Sequence, residues 1–287
     1  MKISYGKQKR LTKKRRSLIE NIDEIVNEYA EKGMRITVRQ VYYQCVARKI
    51  LDNSKSAYEK ISDIVADGRM AGLLDWDMIE DRTRYKRANT HWDSPQQIIE
   101  AASVQYQIDK RVTQPYYVEC WIEKDSLVSI LEKTCSQLDV PCFSCRGFPS
   151  ITALYEAAER FRDKSNAIIL YAGDHDPSGL KIPKVINERF HDFGVNVQLQ
   201  RIGLTLEQIR EFNLPPFYAK QQDNNFKEYL AVTGLTQAWE LDALPPDKLS
   251  ELFEAAISGL TDFTELKKMR DKEKGDKSYF KRLLSVS

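Results

Sequence analysis

The spacing of apolar residues changes near residue 110, and the change divides the chain in two. Before it, Leu18, Ile22, Ile25, Val26 and Tyr29 recur at helical spacing, and Gly33 supplies a stop. Thr37 is placed to cap a second helix, on which Val38, Val41, Tyr42, Cys45 and Val46 form one apolar stripe. A third helix is expected around Tyr58, Ile61, Ile64 and Val65. Residues 73–88 read as a strand and a wing that close the unit. Three helices and a wing make a winged helix-turn-helix, a common DNA-binding module.

Residues 89–110 read as a connector carrying one helix, because Ser94-Pro95 is a good helix start. Then the period changes. Tyr116–Ile122 is a continuous apolar strand, followed by a helix with Leu127, Ile130, Leu131 and Leu138 on one face. A short strand at 141–145, a helix at 149–163, a strand at 167–172, a helix after 178 and a strand at 195–201 follow. Strands alternating with helices predict an α/β, Rossmann-like domain with a parallel sheet. After Thr205 the chain turns helical, with breaks at Pro215-Pro216 and Pro245-Pro246. The division expected is thus 1–88, a connector at 89–110, and 111–287 with a C-terminal helical extension.

Composition fits this picture. At 287 residues two compact domains are the default, and 42% hydrophobic with 30% charged residues suits a globular protein. No apolar run approaches a membrane span, and the first twenty residues are basic rather than apolar, so a cytoplasmic, nucleoid-associated setting in a prokaryotic cell or phage-infected host is expected. Cys45, Cys120 and Cys135 stand alone. Cys142 and Cys145 form a lone C-x-x-C, which reads as buried strand rather than zinc ligand.

Net charge is only +2, but it is uneven. Lys2, Lys7, Lys9, Arg10, Lys13, Lys14, Arg15 and Arg16 crowd the first sixteen residues with no acid among them, and Arg82, Arg84, Lys86 and Arg87 form a second cluster. Such clusters attract phosphate backbones, or are simply solvated surface.

The acids carry the sharper signal. In open parallel sheets, active groups gather past the carboxyl ends of the strands. Glu123 lies just past the first strand of the second domain, and Asp174 and Asp176 lie just past the third. Residues two apart in extended chain point the same way, so both aspartates can face one ion. Three converging carboxylates suit Mg²⁺, with Mn²⁺ as a substitute, holding a phosphate. Gly173 and Gly179 allow the turn to approach a ligand closely. The bland alternative is an Asp-rich turn opening a helix.

Three segments in order, Trp121-Ile122-Glu123-Lys124-Asp125-Ser126-Leu127, Arg146-Gly147-Phe148-Pro149-Ser150 and Gly173-Asp174-His175-Asp176-Pro177-Ser178-Gly179, resemble the Toprim domain of the topoisomerase VI A subunit and its meiotic double-strand-break relatives. The resemblance implies that Glu123, Asp174 and Asp176 bind Mg²⁺ and that Lys124 and Arg146 lie near phosphate. It also implies an upstream winged helix carrying a nucleophile in an Arg-x-x-[Tyr/Phe]-Tyr motif, matched by Arg39-Gln40-Val41-Tyr42-Tyr43. Helix geometry separates the two tyrosines. Tyr42 shares the apolar stripe, whereas Tyr43 is rotated about 100° from it and lies four residues after Arg39, on the same face. An exposed Tyr43 beside a guanidinium that favours phenolate is the expected attacker.

What the resemblance implies is a type IIB topoisomerase A-like enzyme of the compact stand-alone kind. It would bind double-stranded DNA and, as a homodimer, cut it through a 5′-phosphotyrosyl link. Strand passage would need a separate GHKL-type ATPase subunit, since the chain has no glycine loop of that sort. Two rival readings remain: a metal-dependent Toprim nuclease in which water attacks, and a non-catalytic DNA-binding regulator. The paired charges and aromatics of Lys220-Gln221-Gln222-Asp223 and Trp239-Glu240-Leu241-Asp242-Ala243-Leu244 either face the metal site or pack the last helices, and packing is the expectation.

Overall fold

The computed structural model describes residues 2, 4, 11–80, 91–218 and 223–286. The first unit is a cluster of three helices. α1 (Lys13–Glu31) starts at Thr12, whose hydroxyl accepts from the Arg15 amide at 3.2 Å. β1 (Ile36–Thr37) runs directly into α2 (Val38–Ala47). Thr37 caps α2 as its sequence suggests, and Gln40 completes the exchange. The Gln40 amide donates to Thr37 Oγ1 at 3.3 Å, and the Thr37 amide donates to Gln40 Oε1 at 2.8 Å. α3 (Lys55–Met70) closes the cluster around Ile19, Ile22, Val41, Ile61 and Ile64, all essentially without solvent contact.

A wing was expected at 73–88. The described residues show β2 (Ile79–Glu80) paired with β1 in parallel over two residues, not a hairpin. Residues 81–90, and with them the candidates Arg82, Arg84 and Lys86, lie outside the described residues. Part of the N-terminal basic cluster serves the fold itself. Lys2 pairs with Asp23 at 2.6 Å and Arg15 with Asp67 at 2.7 Å.

After α4 (Pro95–Gln105) comes the α/β unit: β3 (Tyr117–Ile122), α5 (Val128–Leu138), β4 (Cys142–Ser144), α6 (Ile151–Phe161), β5 (Ala167–Ala172), α7 (Pro177–Asp192) and β6 (Gln198–Gly203). The strands form one parallel sheet in the order β4-β3-β5-β6. Alternation along the strands sorts the side chains. Val118, Cys120, Ile122, Ile168 and Leu170 face α5, while Trp121, Ile169 and Tyr171 face α6 and α7. Both faces are therefore covered, which is why β5 is apolar at every position. The last strand begins three residues later than the expected 195. Val195 instead ends the turn after α7, its amide donating to Phe190 O at 2.9 Å beyond Gly194 in the left-handed region.

This order has a consequence for function. The chain leaves β3 toward α5 on one face and leaves β5 toward α7 on the other. β3 and β5 are neighbours, so a crevice opens between their carboxyl ends, the usual ligand position in open α/β sheets.

The rest of the chain is more than an appendage. It comprises α8 (Leu206–Glu211), β7 (Phe217–Tyr218), α9 (Phe226–Thr233), β8 (Gln237–Ala238), α10 (Pro246–Gly259) and α11 (Phe263–Val286). Leu241, Leu244, Leu249, Phe253, Ile257 and Leu266 complete the core over the α5 face. No helix among the described residues is long and apolar enough to cross a membrane.

The connector is docked rather than free. Tyr106 Oη donates to Asp276 Oδ2 at 2.9 Å. Glu273 on α11 accepts from the Ile108 amide at 3.1 Å and pairs with Lys110 at 2.6 Å and Lys277 at 2.9 Å. Burial works against the Glu273 charge, but these hydrogen bonds outweigh it and hold the carboxyl down at about 2. A carboxyl lowered from 4.5 contributes stability that is complete above that pH and is lost as pH falls through about 2. Glu273→Ala should cost about 1–3 kcal/mol in urea unfolding at neutral pH. The gap from wild type should close as the medium is acidified from pH 4.5 toward 2.

Candidate active site

All four strands run the same way, so their C-terminal loops meet at one edge. Glu123 follows β3, and its amide donates to Ala172 O at 2.9 Å, extending the ladder by one residue. Asp174 and Asp176 follow β5 in the loop that opens α7. Glu123 Oε2 accepts the Asp174 amide at 2.8 Å, so one carboxylate holds the backbone of the next. Asp176 caps α7 through Oδ1, which accepts the Gly179 amide at 2.6 Å. The bland reading of Asp176 as a helix cap is therefore true of one of its oxygens.

The two glycines are needed for closeness. A Cβ on Gly173 would run into the Tyr171 hydroxyl and the Glu123 carboxylate, and one on Gly179 into the Asp174 carbonyl. Beneath the loop lies Arg201 of β6, which the sequence reading missed. It donates to Gly173 O at 2.8 Å, Asp174 O at 2.6 Å and Gly179 O at 3.0 Å. A lone arginine in a mixed edge strand gives no signal in the sequence; its role comes from the strand order.

The wall of the site comes from the segment assigned to packing. Its apolar residues Trp239, Leu241, Ala243 and Leu244 do pack. Its acids do not follow them. His175 and Trp239 pair backbone to backbone at 2.8 and 3.0 Å, and the Leu241 amide donates to Asp174 Oδ1 at 2.8 Å. Glu240 and Asp242 then reach Lys124. The Lys124 ammonium, 14% exposed, stands 2.9 Å from Asp174 Oδ1, 3.1 Å from Glu240 Oε2 and 2.7 Å from Asp242 Oδ2. Burial opposes its charge, but the three carboxylates hold its pKa above the ordinary lysine value. Charges alternating with apolar residues in 239–244 are what this double duty looks like in sequence.

Arg146 sits in a left-handed turn at φ 52°, largely exposed, with its guanidinium 3.2 Å from Asp125. The Gly147 amide donates to Glu123 O at 3.0 Å, which ties that turn to the acidic edge.

Tyr43 departs from expectation. It was expected to be exposed, and it is 6% exposed. Tyr42 is buried as expected, its hydroxyl donating to Asn53 Oδ1 at 2.8 Å. Both tyrosines are covered because α2 has two partners. One face packs on α1 and α3, and the other meets the 241–243 turn, whose Ala243 enters the N-terminal core. The periodicity of a single helix shows the first partner and cannot show the second. The expected phenolate bias reverses as well. Burial and then the Glu240 charge push the Tyr43 hydroxyl above its ordinary value, against weaker opposing effects of Lys124 and Arg39.

Arg39 does lie with Tyr43. Its guanidinium pairs with Glu240 Oε2 at 3.0 Å and rests over the Tyr58 ring at 5.4 Å. Arg39, Tyr42, Tyr43, Tyr58, Phe217 and Glu240 line a cleft of about 540 Å³ between the two units. Arg39 is thus joined to the acidic edge through one carboxylate, Glu240, and Tyr43 lines the same cleft.

The carboxylates at the sheet edge are hard oxygen donors. Burial raises Glu123, Asp176 and Asp174, the last to about 7, and neighbouring carboxylates add to it while Lys124 opposes it. Among the described residues no three ligand-type side chains already stand at metal-binding spacing, and Lys124 supplies the charge balance for Asp174. No protein-family model matches the chain, and no curated protein matches it in sequence.

Two outcomes follow from this geometry. Gly179→Ala should lower stability by about 1–3 kcal/mol in thermal unfolding, because the atom it meets is backbone. If these carboxylates hold a divalent cation, Mg²⁺ or Mn²⁺ should raise the melting temperature of wild type but not of Asp174→Ala. The rise should be larger at about pH 8 than at about pH 6, since Asp174 must lose its proton to act as a ligand.

Proposed function

We propose that this chain binds double-stranded DNA and cleaves it by tyrosine transesterification, as a topoisomerase VI A-like enzyme with a Toprim site. The observation that carries the reading is convergence. Arg39 from α2 and Lys124 from the sheet edge both pair with Glu240, and Tyr43 lines the same cleft as Arg39 and Glu240. Lys124 also pairs with Asp174, whose amide donates to Glu123. Arg39 and Lys124 supply two cations on either side of one position, the pairing a phosphodiester needs.

In this reading the Tyr43 oxygen bonds to phosphorus as the bond to the 3′ oxygen breaks. The phenol proton ends on the released 3′-hydroxyl, and the 5′ phosphate stays on Tyr43. Arg39 neutralises the phosphate, and Lys124 orients it from the sheet side. Glu123, Asp174 and Asp176 would hold Mg²⁺, which supplies charge stabilisation to the oxygens of the reacting phosphate. Tyr43 must gain access to DNA, so α2 and the 240–243 segment have to separate in part. A homodimer would cut both strands, and a separate GHKL-type ATPase subunit would be needed for strand passage. Arg146, exposed beside the site, and Arg82, Arg84 and Lys86 are the proposed backbone contacts.

One observation favours a second reading. A tyrosine this buried, with its hydroxyl pushed above the usual value, suits a metal-dependent nuclease in which water attacks.

Supercoiled plasmid incubated with Mg²⁺ or Mn²⁺ and then denatured separates the two. Transesterification predicts protein-linked ends that need protease to enter a gel, lost in both Tyr43→Phe and Asp174→Ala. Free ends that survive Tyr43→Phe and vanish in Asp174→Ala would establish the hydrolytic reading instead.

A further inference from the structure

Glu240 makes contacts that a phosphate would make. One of its oxygens, Oε2, lies 3.0 Å from the Arg39 guanidinium and 3.1 Å from the Lys124 ammonium. It does so inside the cleft that holds Tyr43, with the aromatic rings of Tyr58 and Phe217 on the same wall. The carboxylate is about one-fifth exposed and can be reached from the cleft. The other charges around it are the Asp174 and Asp242 carboxylates, both already paired to Lys124. Displacing Glu240 would therefore leave Lys124 with two partners and Arg39 with none among these acids.

We infer that Glu240 is an internal occupant of a phosphodiester-binding position, a latch that holds Arg39 and Lys124 until a DNA backbone phosphate takes its place. The position takes one phosphate between the two cations, with its sugar beside Tyr58 and Phe217. The inference rests on the DNA-cleavage reading for its ligand, but not on cleavage for its test.

The same bridge that occupies the cations ties the 240–243 segment to α2, and Ala243 of that segment shares the core cluster of Tyr43. Removing the Glu240 charge should therefore both free the cations and loosen that tie.

The test is binding of a short fluorescent duplex, read by anisotropy in EDTA so that no cleavage occurs, over a salt series. Inorganic pyrophosphate serves as a competitor. Glu240→Gln should bind the duplex roughly tenfold tighter than wild type and become more sensitive to pyrophosphate. Glu240→Asp, which keeps the charge but shortens the reach, should fall between them. Adding Arg39→Gln to Glu240→Gln should abolish the gain. Unchanged or weaker binding by both Glu240 variants, with melting curves like wild type, would overturn the latch. If Glu240→Gln binds tighter yet no variant forms protein-linked ends with Mg²⁺, the latch stands and the transesterase reading falls. If wild type cleaves through Tyr43 while Glu240→Gln gains nothing, cleavage stands and the latch falls.

Discussion

A single buried ammonium organises the candidate site. Lys124 lies directly after Glu123, at the end of the first sheet strand, and meets Asp174 from the loop after β5 and Glu240 and Asp242 from the distant C-terminal segment. Ions removed from water are costly, and the Lys124 charge is compensated by three carboxylates, two of which, Asp174 and Asp242, remain if Glu240 leaves. Losing one partner of a buried pair typically costs about 3–5 kcal/mol. Three segments that share no secondary structure are thereby fixed against one another. Arg201 does the same from below with neutral partners, donating into the carbonyls of the acidic loop. The loop is thus held by a cation on either side, and neither depends on a bound ligand.

The sheet explains why the acids come together at all. Parallel strands place every C-terminal loop at one edge, and the order β4-β3-β5-β6 puts the crevice between β3 and β5. Glu123 and Asp174 end adjacent strands and are linked by a hydrogen bond of 2.8 Å. Gly173 and Gly179 permit that closeness, since a side chain at either would enter occupied space. Burial there raises both carboxyls, and each is further raised by a neighbouring carboxylate.

The contact between the two units joins the acidic edge to α2. α2 presents Arg39 to Glu240, and the turn behind Glu240 inserts Ala243 into the N-terminal core. The interface is therefore part apolar and part ionic. Apolar burial gives it adhesion, and the Arg39–Glu240 ion pair adds a charged contact. A cleft of about 540 Å³ lined by rings and one arginine remains beside it.

Much of the fold was legible from local pattern. The helical period placed α1, α2 and α3, and Thr37 marked a cap that the structure completes with Gln40. An unbroken apolar run in β5, and one interrupted only by Glu119 in β3, marked these strands because both of their faces are covered. Glu123, Asp174 and Asp176 could be picked out because strand ends are recognisable and parallel sheets gather them. Tertiary structure alone decided that Tyr43 is covered, that Arg39 is paired, that Arg201 underlies the acidic loop, and that Glu240 and Asp242 belong to the site. Each of those facts depends on a partner remote in the chain. Periodicity reports only whether a side chain faces something apolar. It carries no information on which distant segment supplies the other face, or which carboxylate reaches a given cation.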